Sequence, residues 1–143
     1  MWGVLEQYPF DLAYHHGHEL VKSGALGELR SYSLDWYGFV EPGSKYHATS
    51  WREKPQYQGG FLLDGGVHFF AGLRHLLSGA NLELSQLAAQ ADLLHAHLAP
   101  HDTIQGFLQA VKIGSGAVAP ASEEGPALAG SFAISFGHEV SEP

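Results

Sequence analysis

The sequence predicts an α+β domain, a mostly antiparallel open sheet with helices packed on one face. Two segments carry helical periodicity with stop signals, and four read as strands. Three of those strands come last, with no helix between them. Parallel neighbours need a long, usually helical crossover, so consecutive strands without one favour antiparallel pairing. The 143 residues are one domain's worth of chain, and at 45% apolar they can build a core without staples.

The first helix is expected over Asp11 to Ser23. Asp11 is its N-cap, Leu12, Leu20 and Val21 are its apolar members, and Ser23-Gly24 stops it. Gly24 and Gly27 bracket a turn. From Glu28 to about Val40 the period becomes two, with Tyr32, Leu34 and Trp36 on the packed side and Ser31, Ser33 and Asp35 opposite. Residues 41–60 read as a loop, and its Tyr46, Trp51 and Tyr57 argue against plain disorder. A second helix is expected from near Asp64 to Leu77, stopped by Ser78-Gly79. Strands follow at about Leu82–Ala91, Thr103–Ile113 and Gly130–Gly137. Between the last two, Gly114–Ala129 reads as a long mobile connection tipped by the solvated pair Glu123-Glu124.

Composition excludes several classes. Seven cations against 15 acids leave a net charge of −8 with no basic stripe, so no nucleic-acid partner is expected. The absence of cysteine removes disulfides, thiolate metal sites and thiol nucleophiles. No apolar run is long enough to span a membrane, and no secretory signal opens the chain, so a cytoplasmic protein is expected. Charged residues are only 15%, against about 25% in an average domain, which suggests a surface that is partly covered by self-association. No Ser–His–Asp hydrolase motif, P-loop or H-E-x-x-H is present.

The second helix carries the chemistry. At about 100° per residue, Asp64, His75 and His68 fall within roughly 40° of one another. Leu76, Phe69, Leu73, Leu77 and Phe70 form the opposite, core-facing stripe, and Ala71 and Gly72 flank the polar face. Gly59, Gly60, Gly65 and Gly66 cluster at the helix start, implying close approach or a special backbone angle. Asp64 and His68 stand at i and i+4, which would set a carboxylate beside an imidazole and suit proton transfer. A cap role for Asp64 and a surface role for His68 are the plain alternative.

Ten histidines are many for a chain of this length. His15 and His18 at i, i+3, or His95 and His97 with His101-Asp102, could share a metal ion, but no third ligand can be placed for either. Surface histidines are the default, and no metal site is assigned.

The run Gly59-Gly60-Phe61-Leu62-Leu63-Asp64-Gly65-Gly66-Val67-His68, followed by Leu73 and Leu76-Leu77, resembles the signature of the glucose–fructose oxidoreductase / inositol dehydrogenase (Gfo/Idh/MocA) family. Glu6-Gln7-Tyr8 and Lys22-Ser23-Gly24-Ala25-Leu26-Gly27-Glu28 resemble that family's passage into its second domain. Trp51-Arg52 and Ser131–Gly137 are most similar to a fungal-type branch. The likeness covers nearly all of residues 4–137. It implies the substrate-side domain of an NAD(P)-dependent oxidoreductase acting on a sugar, polyol or related compound, inactive alone. His68 would be the acid/base and Asp64 would orient it or bind a substrate hydroxyl. Trp51, Arg52 and Gly60 would contact substrate, or Trp51 and Arg52 would touch the cofactor.

NAD(P) would bind outside this chain, because the family's Rossmann domain is absent from it. Gly114-Ser115-Gly116-Ala117-Val118-Ala119 has the letters of a dinucleotide fingerprint, but Pro120, Gly125 and Pro126 prevent the helix it needs. Glu53-Lys54-Pro55 has the letters of the family's lysine motif, but it lies in the loop before Gly59-Gly60, so that role is not carried over. Residues 117–129 look like an insertion, and the chain ends before the family's last strands and helices. A single, truncated substrate-binding and oligomerisation domain over residues 1–143 is therefore expected, forming a homo-oligomer through its sheet. A non-catalytic oligomerisation or sugar-binding module is the alternative.

Overall fold

Asp11 caps the first helix as expected, its side chain accepting the backbone N–H of Ala13 at 2.8 Å. The computed structural model describes residues 5–113 and 127–138. After a short 3-10 turn at Tyr8–Phe10 come α1 (Leu12–Lys22), β1 (Tyr32–Tyr37), α2 (Ser50–Glu53) and α3 (Gly60–Ser78). Strands β2 (Leu82–Asp92), β3 (Thr103–Lys112) and β4 (Leu128–Ser135) follow, with a 3-10 turn at Ala96–Leu98 between β2 and β3. The sheet order is β1-β4-β3-β2, and the sheet is open and mostly antiparallel. The expected α+β class holds. The three C-terminal strands are consecutive neighbours, and β1 adds at the far side of β4.

Two compact units make up the described chain. One comprises residues within Met1–Tyr32, His68–Leu87 and Phe107–Gly130, and its core is Phe69, Leu73, Leu77, Leu82, Leu108 and Ala110. The other comprises residues within Ser33–Val67, Ala88–Gly106 and Ser131–Pro143, with Phe61, Leu62, Leu98, Phe132, Ile134 and Phe136 buried. Each large apolar side chain among them contributes about 1.5–3 kcal/mol relative to leaving it exposed.

Several boundaries differ from expectation. The helix α3 starts at Gly60, not near Asp64. Burial of Phe61 and Leu62 extends the apolar stripe back by a turn, and core packing outweighs the local cap signal at Asp64. Residues 41–60 are not all loop, because Ser50–Glu53 closes a helical turn. The strand expected over 28–40 pairs regularly only at Tyr32–Tyr37, where Tyr32, Leu34 and Trp36 alternate with exposed neighbours as read. It resumes at an isolated antiparallel bridge between Phe39 and Gly137. Strand β4 begins at Leu128, so residues 128 and 129 belong to the strand and not to the connection. The Glu123-Glu124 tip and the Gly114–Ala119 run lie outside the described residues.

Two packing assignments also change. Leu12 is 83% exposed, and Tyr14 takes its place on the packed side of α1, its ring lying where a Gly72 side chain would stand. His75 does not share an open polar face. Its ring stacks on His18 of α1 at 4.5 Å, and its own carbonyl accepts His18 Nδ1 at 2.8 Å.

Candidate active site

In the first unit, α3 presents His68 on the side away from Phe69, Leu73 and Leu77. Its side chain is 36% exposed. Nδ1 of the imidazole donates to Glu6 Oε2 at 2.7 Å. The other carboxylate oxygen, Oε1, accepts the Tyr8 backbone N–H at 2.9 Å. The Tyr8 ring lies over the imidazole, centroids 5.1 Å apart and planes 21° from parallel. Tyr8 also meets Phe69 edge-on at 5.7 Å. The Tyr8 N–H is the main influence holding the Glu6 carboxyl below its ordinary value; desolvation opposes it, and the bond to His68 and its charge add to the lowering. Sequence reasoning noted Glu6 and Tyr8 only as part of a family pattern. Nothing local links them to a histidine 62 positions later.

In the second unit, Asp64 Oδ2 accepts Arg52 Nε at 2.8 Å and pairs with Nη2 at 2.6 Å. Arg52 Nη1 donates to Thr49 Oγ1 at 3.0 Å and to the Tyr46 carbonyl at 3.3 Å. The guanidinium lies over the Trp51 ring at 4.1 Å and faces Phe61 at 5.9 Å. The carboxylate seated on His68 is thus that of Glu6, while Asp64 is engaged by an arginine from α2. Arg52 turns its donors toward the protein, and Trp51 remains 51% exposed.

Gly60 and Gly65 approach the chain itself, whereas a Cβ on Gly66 would meet nothing within 4 Å, so the close approach expected there is not found. Gly60 has φ +56°, and a Cβ there would stand 2.9 Å from the Ala99 carbonyl and from Pro100 Cδ. A Cβ on Gly65 would collide with the Phe136 ring. These contacts account for both residues without a ligand.

The histidine clusters act as clips on loops. His47 Nε2 donates to the His97 carbonyl at 2.8 Å, and His97 Nε2 donates to the Val40 carbonyl at 2.7 Å. His95 Nε2 donates to the Gly137 carbonyl at 2.9 Å. Asp102, fully buried, accepts the backbone N–H groups of Leu94 and His95 and the Thr103 hydroxyl. Among the described residues no group of three His, Asp or Glu side chains is arranged to hold a metal ion. Nor is any described helix long and apolar enough to cross a membrane.

The described residues do not fit a dinucleotide. Among the described residues, no strand runs through a glycine turn into a helix whose N-terminus stands open. At the start of α3, the space beside Gly60 is occupied by Ala99 and Pro100.

An open, mostly antiparallel sheet combined with helices, one of them carrying a carboxylate-paired histidine, is an α+β arrangement. Residues 18–118 match the family described as "Oxidoreductase family, C-terminal alpha/beta domain". The chain belongs to this Gfo/Idh/MocA oxidoreductase family and carries its C-terminal domain. It is 38% identical over 118 residues to a dehydrogenase from Fusarium mangiferae, covering 82% of this chain and 34% of that protein. It is 56% identical over 52 residues to an uncharacterized protein from Saccharomyces cerevisiae, covering 36% of this chain and 15% of that one. The crystal structure of an oxidoreductase from Thermotoga maritima superposes with a TM-score of 0.74 at 27% identity, covering 96% of this chain and 37% of that one. The chain therefore spans about a third of the dehydrogenase and of the solved oxidoreductase.

Proposed function

We propose that this chain is the substrate-side domain of an NAD(P)-dependent oxidoreductase acting on a sugar, polyol or related hydroxyl or carbonyl compound, and that it is inactive by itself. Hydride exchange belongs to NAD(P) held outside the described residues, by a nucleotide domain. The part assigned to this chain is substrate binding and proton transfer. His68 takes the proton from a substrate hydroxyl in one direction and returns it to the carbonyl oxygen in the other. The observation that carries this reading is its partly exposed imidazole, anchored through one nitrogen to Glu6. Trp51, half exposed beside the Arg52 guanidinium, contacts the substrate. Arg52 and Asp64 hold the turn that presents it, and Gly60 sets the start of the helix beneath.

In an active protein that joins this domain to its nucleotide domain, His68→Ala lowers kcat roughly 10²–10⁴-fold, the usual contribution of acid–base catalysis. An unchanged rate in steady-state assays removes His68 from the mechanism.

A second role belongs to the sheet. Phe107 on β3 is 71% exposed and Leu87 on β2 is 59% exposed, both in the first unit. This apolar surface supports self-association into a homo-oligomer, which is also what a non-catalytic oligomerisation module would show. Sedimentation is expected to find a dimer or larger species, and a clean monomer at micromolar concentration would refute this.

A further inference from the structure

We propose that Glu6 is the positioning residue of His68, fixing its tautomer so that Nε2 faces the substrate with a free lone pair. This rests on the acid–base role argued above and deepens it. An unconstrained neutral imidazole prefers its proton on Nε2, which would leave that nitrogen unable to accept a proton. Which nitrogen carries the proton in a protein is set by the hydrogen bond at the other one. The Glu6 carboxylate lies 2.7 Å from Nδ1 and has no proton to give, so the imidazole must donate there. Nε2 is then the acceptor when the substrate hydroxyl is deprotonated. The imidazolium that results keeps its Nδ1–H on Glu6, and the same proton leaves from Nε2 in the reverse direction.

The arrangement is held on three sides. The Tyr8 N–H fixes Glu6 Oε1, the Tyr8 ring covers one face of the imidazole, and Phe69 meets that ring edge-on. All four residues lie in one compact unit. The helix's own carboxylate, Asp64, is turned to Arg52 instead. The spacing of i and i+4 on α3 therefore does not identify the partner of His68. The N-terminal segment before Tyr8 supplies it.

The test is long-range ¹H–¹⁵N correlation spectroscopy of the histidine rings in the ¹⁵N-labelled 143-residue chain, at a pH where His68 is neutral. In the wild-type chain, Nδ1 of His68 is expected to show the shift of a protonated ring nitrogen and Nε2 that of an unprotonated one. In Glu6→Ala the two assignments are expected to exchange, while the ring-current shift between Tyr8 and His68 reports that the segment stays docked. Nε2–H as the main wild-type tautomer would overturn the proposal without any variant. So would an unchanged tautomer in a docked Glu6→Ala chain. Should Glu6→Ala undock the segment, the wild-type spectrum alone decides. These spectra bear on Glu6 only, and the His68→Ala rate bears on the acid–base reading only, so the two failures are told apart.

Discussion

At the start of α3, one absent side chain meets two demands. Gly60 sits at φ +56°, a region that costs other residues about 1–3 kcal/mol. A Cβ there would also press on the Ala99 carbonyl and on Pro100. Gly60→Ala is therefore expected to destabilise the chain by at least about 1–3 kcal/mol, read as a lower denaturant midpoint at unchanged slope. No change in midpoint would show that the turn relaxes freely. The need for glycine at this place was legible in the sequence, because two Gly-Gly pairs flanking a helix start have few local explanations. What each glycine approaches was not. Gly60 meets a backbone 39 residues away and Gly65 meets Phe136. The functional residues divide the same way. His68 stood out by its helical position, whereas Glu6 became its partner only when the N-terminal segment packed beside α3.

Between elements, α1 and α3 meet through histidines. His18 and His75 stack at 4.5 Å, and the His75 Nε2 is buried with no hydrogen-bond partner among the described residues. Burial, then the neighbouring His18 and His15, push His75 below its ordinary value of 6.5. In acid the unfolded chain therefore binds this proton before the folded one does. The contribution is fully present above about pH 6.5 and falls as the pH drops below it. Thermal melts between pH 7.5 and 5 are expected to show a falling Tm, and His75→Phe is expected to flatten that slope. An equally steep slope in the variant would place the acid sensitivity elsewhere. Helix periodicity correctly separated Phe69, Leu73 and Leu77 from the histidines, because a helix repeats every 3.6 residues whatever packs on it. It could not show that α1 would cover His75, since periodicity defines a face and not what lies against it.

For the whole molecule, the expectation that NAD(P) binds outside this chain yields a direct test. Calorimetric titration of the folded 143-residue chain with NADPH and then NADH is expected to give no binding heat. Micromolar binding would mean that a nucleotide site exists within these residues. The sequence by itself determined the α+β class, the place of most elements, the family signature around Asp64–His68 and the exclusion of thiol chemistry. These follow from local quantities such as residue period, turn residues and composition, which need no knowledge of the distant chain. Tertiary structure alone decided that β1 lies beside β4, that Arg52 holds Asp64, that the histidines clip loops to carbonyls and that Glu6 seats His68. Those pairings join residues from 12 to 62 or more positions apart in sequence. Their partners are selected by the shared burial of side chains and by the cost of leaving buried polar atoms unpaired, and neither exists until the chain has folded.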